Sequence, residues 1–370
     1  MNKYPGTFIN FFAGIVRVQN IPSSRMEAVL INVPHVTKYS TSIDNTKALI
    51  KKTGAQYVML DSGGYTVFNT YRKDGSITLS GSKLMISRKG KQIIVSCQNV
   101  VDVASKIQPD IVIGLDYPVM TTRNPVIQME EFDRKKELNL QWMKEMSELC
   151  QIYCPHIELY LPIQCYDLDQ FAYFEDDLMR LKYDGMALPI RNMNPMEISR
   201  FLIRINELGI RKVHLLGTSS FSNIALATYF ARNVFERCSI DSTTWSIGVQ
   251  YHQYIHPYLL TKILVGRTST AEGSERLPCK CRWCKGKTYG DITNLVDRER
   301  REHLKHHNYL AFKNAGEEFS KHARDPHAFE SFLRKHAPKR NKDINCIMRA
   351  IRMADSRISM AKRKQVPNVA

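Results

Sequence analysis

Gln56-Tyr57-Val58-Met59-Leu60-Asp61-Ser62-Gly63-Gly64-Tyr65 is the stretch on which the reading of this chain turns. Its first five residues are β-prone and apolar and stop where turn residues begin, so they read as a buried strand. An acid then stands at the strand end, followed by two glycines that let backbone approach a flat ligand and a tyrosine that can stack on one. The plain alternative is a strand-to-loop turn in which Asp61 caps the glycine amides. Short glycine motifs match by chance, so the rest of the chain has to decide.

Similar apolar runs recur at Ala28 to Val33, Ile111 to Leu115, Ile157 to Ile163, Met186 to Ile190, Val213 to Leu216 and Ile240 to Trp245. Helical-looking stretches such as Met129 to Glu148 and Glu197 to Leu208 separate them, and Ser222 to Arg237 looks amphipathic. Strands alternating with helices predict a parallel sheet, here an α/β fold of the (β/α)8 barrel type. Asp61, Asp116, Gln164 and Asp241 each fall at or near the end of such a run, where a barrel of this kind assembles its active site. Asp241 fits least well, because its run continues past it. The run Phe8 to Val16 is too short to cross a membrane and is expected to be a buried strand or helix start. Ser76 to Val95, with Gly81 and Lys89 to Lys91 at its bends, reads as a hairpin excursion.

Cys279, Cys281 and Cys284 form a CxCxxC group, followed by His303, His306 and His307. Three thiols this close, joined by one imidazole from a later helix, match a tetrahedral Cys3His zinc site with no open position, and hence a structural metal. On a helix His303 and His307 share a face, so either serves on spacing alone. Asp241 lies in Cys238-Ser239-Ile240-Asp241-Ser242-Thr243-Thr244-Trp245. A carboxylate in so β-prone a run is costly to bury, and it is either functional or a cap with Ser242.

These pieces together make the chain resemble the tRNA-guanine transglycosylase superfamily. Asp61 to Tyr65 are similar to its DSGG(F/Y) motif, and Asp241-Ser242 to its nucleophile segment. Leu115 to Pro118, Ile163-Gln164, Asp184-Gly185 and Leu215-Leu216-Gly217 fall where the family has its FDE or FDxxP, VQG, DG(Y/F) and LMG segments. The zinc cluster has its counterpart too, and the pair His307-Asn308 echoes a family HN pair, which selects His307. The resemblance implies Asp241 as nucleophile and Asp61 as general acid/base. It also implies a base pocket of Asp116, Gln164, Tyr65, Ser62, Gly63 and Gly217, one structural zinc on Cys279, Cys281, Cys284 and His307, and no redox or nucleotide cofactor.

Departures narrow the resemblance. Met186-Ala187-Leu188-Pro189 stands where the tRNA enzymes carry a paired-glycine loop, and residues 1–55 lack the expected N-terminal motifs. The chain is therefore most similar to the DNA-acting branch, which inserts a 7-deazaguanine base into DNA, with a partner ATPase as a further implication. A tRNA-directed transglycosylase and a non-catalytic accessory paralogue are the rival readings, and retention of both Asp61 and Asp241 disfavours the second.

Composition agrees. The chain has 370 residues, 43% hydrophobic, with a net charge of +17. From Pro278 to Ala370 there are 22 Lys and Arg against 10 Asp and Glu, so +12 of that charge lies in the last quarter. So lopsided a basic segment suits a polyphosphate partner. Ile344, Ile347, Met348, Ile351, Ala354 and Ile358 recur at helical spacing, predicting a helix that packs on the body while its basic face meets phosphate. The expected organisation is a barrel over 1–277 with the insertion near 76–95, a zinc-binding subdomain over 278–333 and a basic helical tail over 334–370. The absence of a targeting or membrane segment, and nine cysteines without a pairing pattern, predict a cytoplasmic protein.

Overall fold

The computed structural model describes residues 6–15, 17–38, 43–64, 76–88, 91–119, 124–266 and 272–364. Eight parallel strands close into a barrel: β1 (Thr7–Phe12), β2 (Ala28–Asn32), β3 (Tyr57–Asp61), β7 (Ile111–Ile113), β8 (Glu158–Pro162), β9 (Gly185–Pro189), β10 (Lys212–Leu216) and β11 (Arg237–Ser242). Each pairs with its neighbour in this order, and β11 closes on β1 with Phe11 opposite Asp241. The expected (β/α)8 architecture is therefore present, and the first strand comes out of the run whose type the sequence left open.

Alternation along the strands divides the side chains between two cores. Ile9, Phe11, Ala28, Leu30, Met59, Ile111, Ile113, Tyr160 and Ala187 fill the lumen as one cluster. Val213, Leu215, Cys238 and Ile240 pack outward against the helices. The N-terminal end of the lumen is plugged by a polar knot. Glu158 receives Lys212 at 2.7 Å and also Arg237, whose guanidinium donates to the Tyr160 hydroxyl at 3.2 Å. Gly185 makes room for it, since a Cβ there would lie 2.7 Å from the Tyr160 ring. With that end filled, the C-terminal ends of the strands are the accessible mouth.

Two expectations are adjusted. The run Ile240 to Trp245 is not one strand: β11 begins at Arg237 and ends at Ser242, and the helix Thr244–Gln250 follows. Ser242 Oγ accepts from the Thr244 amide at 2.9 Å, and the Trp245 indole donates to the Ala13 carbonyl at 2.9 Å. These tertiary and local bonds override the β-propensity of Thr243 and Thr244. Asp241 thus lies at a strand's C-terminal end after all. The excursion after β3 is a three-stranded antiparallel sheet, β4 (Ser76–Ser80), β5 (Lys83–Arg88) and β6 (Lys91–Val95), not a single hairpin.

Between β1 and β2 the described residues contain only the short 3-10 turn Val18–Asn20. The helix Asp297–His322 covers β1 instead. Tyr309 packs on Phe12 with ring centroids 4.6 Å apart and donates its hydroxyl to the Arg25 carbonyl at 3.1 Å. Gly316 lets the helix close onto Phe8, because a Cβ there would lie 2.6 Å from that ring.

The C-terminal helix Asn341–Lys364 buries Ile344, Ile347, Met348, Ile351 and Ala354, as its spacing predicts, against the helices Pro195–Glu207 and Phe221–Asn233. Its direction is fixed by two contacts. Arg340, just before it, lies over the Phe221 ring at the start of Phe221–Asn233, whereas Asp355 accepts from Tyr229 near that helix's end. The two helices run parallel, so the C-terminal helix starts beside the barrel mouth and its last turns point away from it.

Candidate active site and metal cluster

Asp61 ends β3, in register with Asn32 at the end of β2, and the Asn32 amide donates to its Oδ2 at 2.9 Å. Burial pushes the Asp61 carboxyl up to about 8; the charges of Asp116 and Asp241 add to the rise, and bonds from the Gly63 backbone and Asn32 oppose it. Near neutral pH this group holds a proton. The glycines after it have steric work to do. Gly63 has φ +108°, and a Cβ there would lie 2.4 Å from Pro34; one on Gly64 would lie 2.6 Å from Asp116 Oδ1.

Asp116 follows β7 and is buried. Gln164, just past β8, donates its amide to Oδ2, and the Ser62 hydroxyl donates to Oδ1 at 3.3 Å. Burial raises this carboxyl to about 6, with both bonds resisting. One residue from the β3 end and one from the β8 end therefore converge on one acid. The loop that carries it is clamped from behind. Asn139 accepts from the Tyr117 amide at 2.7 Å and donates to its carbonyl at 3.1 Å, and Lys135 donates to the Pro118 carbonyl at 2.9 Å. The Val119 amide donates to Gln164 Oε1 at 3.2 Å. Glu131 balances the buried Lys135, whose amine is pushed down to about 8 by burial and by the neighbouring Arg134.

Asp241 is 14% exposed. Its Oδ1 accepts from the Gly217 amide at 2.8 Å, and the buried His214 ring comes within 3.4 Å of the same oxygen. Gly217 has φ +101° and open space where a Cβ would stand, so the backbone at this rim faces the mouth.

The structure therefore gathers Asp61, Ser62, Gly63, Asp116, Gln164, Gly217 and Asp241 at the C-terminal end of one barrel. Tyr65 lies outside the described residues. Sequence reasoning missed Asn32, His214, Glu131, Lys135 and Asn139. Asn32 had a signal, as a polar residue ending an apolar strand. The trio Glu131, Lys135 and Asn139 had a weaker one, in polar residues at i, i+4 and i+8 of a long helix.

The second centre is Cys279, Cys281, Cys284 and His307, whose ligand atoms all lie within 4.8 Å of one another. His307 turns Nδ1 toward the thiols, 3.2 Å from Cys284 Sγ and 3.9 Å from Cys281 Sγ, while Nε2 bonds the Ile255 carbonyl at 2.8 Å. A backbone acceptor on the far nitrogen fixes the tautomer that a metal-binding imidazole needs. Tyr254 stacks on the ring at 3.9 Å. The donor set of three sulfurs and one nitrogen fits one zinc ion. His303 Nε2 lies 3.4 Å from Cys284 Sγ, behind the ligand group.

No curated protein matches the chain. The family model described as queuine tRNA-ribosyltransferase matches residues 15–201, about half of the chain and most of the barrel. The matched part contains Asp61, Asp116 and Gln164, whereas Asp241 and the cysteine cluster lie beyond it. With an eight-stranded barrel that gathers those acids at its mouth and a match of this extent, the chain belongs to the queuine tRNA-ribosyltransferase family, the guanine transglycosylases that act on nucleic acid.

Proposed function

We propose that this protein replaces guanine in duplex DNA with a 7-deazaguanine base by a two-step, retaining exchange. The observation that carries the chemistry is the convergence of three carboxyls at the mouth, each held by different donors. In the first step an Asp241 carboxylate oxygen bonds to C1′ as the bond from C1′ to guanine breaks. That electron pair leaves with guanine, which takes the proton held by Asp61. In the second step the Asp61 carboxylate removes a proton from the incoming base, whose ring nitrogen attacks C1′ and releases Asp241. Asp116, with both oxygens accepting from Ser62 and Gln164, reads the N–H edge of the base; Ser62, Gly63 and Gly217 border it and Tyr65 stacks on its face. The base must first be flipped out of the duplex, at a cost of a few kcal/mol.

Cys279, Cys281, Cys284 and His307 would hold one zinc ion, which supplies folding energy to the C-terminal part when bound. Among the described residues no helix is long and apolar enough to cross a membrane. The close-set thiols of Cys279, Cys281 and Cys284 suit a metal in a reducing cytoplasm. The choice of DNA rests on Met186 to Pro189 in β9, which replace the paired-glycine segment of the tRNA enzymes, and a partner ATPase belongs to the same reading. The family description itself favours the second reading, tRNA as polymer. Mass spectrometry of nucleosides from the genomic DNA and the tRNA of cells expressing the protein, supplied with a 7-deazaguanine, tests the choice. Modified deoxyguanosine positions are expected; modification confined to tRNA overturns the polymer and keeps the chemistry.

A further inference from the structure

His214 is fully buried in the barrel lumen, on β10, with the edge of Phe11 packed against it at 5.8 Å between centroids. A histidine inside an apolar lumen needs partners for two ring nitrogens. Nδ1 has one, the Ser239 hydroxyl at 2.9 Å. Nε2 has no fully formed hydrogen bond and lies 3.4 Å from Asp241 Oδ1. Ser239 and Asp241 are two apart on β11 and point into the lumen together, so one strand supplies both neighbours of the ring.

The tautomer follows from distances. The Ser239 hydroxyl has two acceptors within reach, His214 Nδ1 at 2.9 Å and the Val213 carbonyl at 3.4 Å. Donating to the nearer one leaves Nδ1 without hydrogen and places the hydrogen on Nε2, facing the Asp241 carboxylate. The opposite tautomer would set a nitrogen lone pair against a carboxylate oxygen with no proton between them.

We propose that His214 is a positioning residue which, together with the Gly217 amide, anchors Asp241 Oδ1 and so leaves Oδ2 as the atom that bonds to the sugar. This rests on the reading of Asp241 as nucleophile. Gly217 approaches Oδ1 from the rim and His214 from the lumen below, so the carboxylate is held from two directions while Oδ2 makes no hydrogen bond or ion pair among the described residues. At the 3.4 Å seen here the lower contact is long, and it shortens as the carboxylate settles for attack. In that step Oδ2 forms the bond to C1′ while the pair from the broken glycosidic bond leaves with the base; the His214 proton stays on Nε2 throughout. The contribution is geometric, of the kind for which a displacement of about 1 Å costs about 100-fold.

The test uses the full chain as wild type, His214→Phe, His214→Gln and Asp241→Ala, with duplex DNA and tRNA as probes. Single-turnover guanine release, nucleic-acid affinity and melting temperature are measured for each, and long-range 15N spectra of the wild type report the His214 ring. His214→Phe keeps the packing on Phe11 and loses the donor, so guanine release is expected to slow by about 10- to 100-fold with affinity and melting nearly unchanged. His214→Gln restores an N–H donor and is expected to recover part of that rate. The spectra should show hydrogen on Nε2 and none on Nδ1. An unimpaired His214→Phe beside an inert Asp241→Ala overturns this inference alone, as does a ring with hydrogen on Nδ1, or Phe and Gln variants whose rates simply track melting. Guanine release by Asp241→Ala overturns the nucleophile reading and this inference with it.

Discussion

The Asn308 side chain donates to the Trp245 carbonyl at 3.3 Å, and so joins the residue after His307 of the cysteine cluster to a residue four positions beyond Asp241. Asn308 is fully buried and makes two further bonds, donating to the Gln253 carbonyl at 2.9 Å and accepting from the Ile255 amide at 3.0 Å. The Trp245 indole in turn donates to the end of β1. The helix that carries His307 of the cysteine cluster therefore braces the segment that leaves β11.

Removal of that brace should cost stability first. Asn308→Ala strands a buried amide and two carbonyls, at about 1–3 kcal/mol for each group left unpaired. Melting curves are expected to drop by several degrees. Cys284→Ala should be worse, because structural zinc binding is folding free energy of about 10 kcal/mol or more in small zinc peptides. Purified wild type should carry near-stoichiometric zinc. Protein with no zinc, or a Cys284→Ala variant with unchanged melting, contradicts the assignment.

The protonation of Asp61 gives a pH profile. In the proposed reaction guanine release uses this proton, so the single-turnover rate should fall as pH rises through about 8. Stability follows with a definite sign. The folded chain keeps a proton that an unfolded chain releases near 3.8, so the associated stability is fully present below about pH 4 and is lost as pH rises through about 8. Asp61→Asn should lose base exchange yet melt above wild type at pH 8.5 to 9, with the gap closing toward acid. An equal gap at all pH values argues against a raised carboxyl.

On the proposed reading, base recognition by Asp116 depends on the clamp behind it. Lys135→Met leaves the buried Glu131 with only the exposed Arg134 beside it, a change of the kind that costs up to about 3–5 kcal/mol, whereas Lys135→Met with Glu131→Leu removes both buried charges and should be milder. In the double variant and in Asn139→Leu the loop at Tyr117 and Pro118 loses its anchors. The KM for the free base should rise while affinity for nucleic acid holds. Equal loss of both would make the clamp a general folding element.

The basic tail from Arg334 onward does not present all its cations to phosphate. Arg334 and Arg352 both pair with Glu330, and Arg340 pairs with Asp343. Truncating the helix would also expose Ile344, Ile347 and Ile351, so deletion would confuse binding with folding. Lys339 and Lys342 are exposed at the end beside the mouth, and Arg357 is exposed at the far end. Neutralising Lys339 and Lys342 to Gln should lower the slope of log affinity against log salt by up to about 0.9 for each. Arg357→Gln should leave it unchanged. The reverse pattern would place the nucleic acid elsewhere.

The barrel and its three acids are legible in the sequence because burial on both faces gives the strands continuous apolar runs, and an acid at the end of such a run stands out. Asp61 is further marked by its glycines, which the close approach of Asp116 and Pro34 requires. Asn32, Lys135 and Asn139 carry only faint local signals, which do not disclose the tertiary contacts across which they act, and His214 carries none. His214 in particular sits in an ordinary strand, and only the barrel's register sets it beneath Asp241. Thr243 and Thr244 pointed to a longer strand because their β-branched propensity is local, whereas the helix start at Thr244 depends on Ser242 and on the Trp245 bond to Ala13. The slot beside β1 was equally illegible, since the helix that fills it arrives from nearly 300 residues away in sequence.

The central claim is that Asp241 bonds covalently to the sugar. Wild-type protein mixed with duplex DNA and, separately, with tRNA, without an incoming base, can be denatured rapidly and digested for peptide mapping by mass spectrometry. The account predicts a nucleic-acid adduct on the peptide from Arg237 to Ser242, carried by Asp241, absent in Asp241→Ala and released as exchanged product when a 7-deazaguanine is added. An adduct on another residue, or base exchange retained by Asp241→Ala, would contradict it.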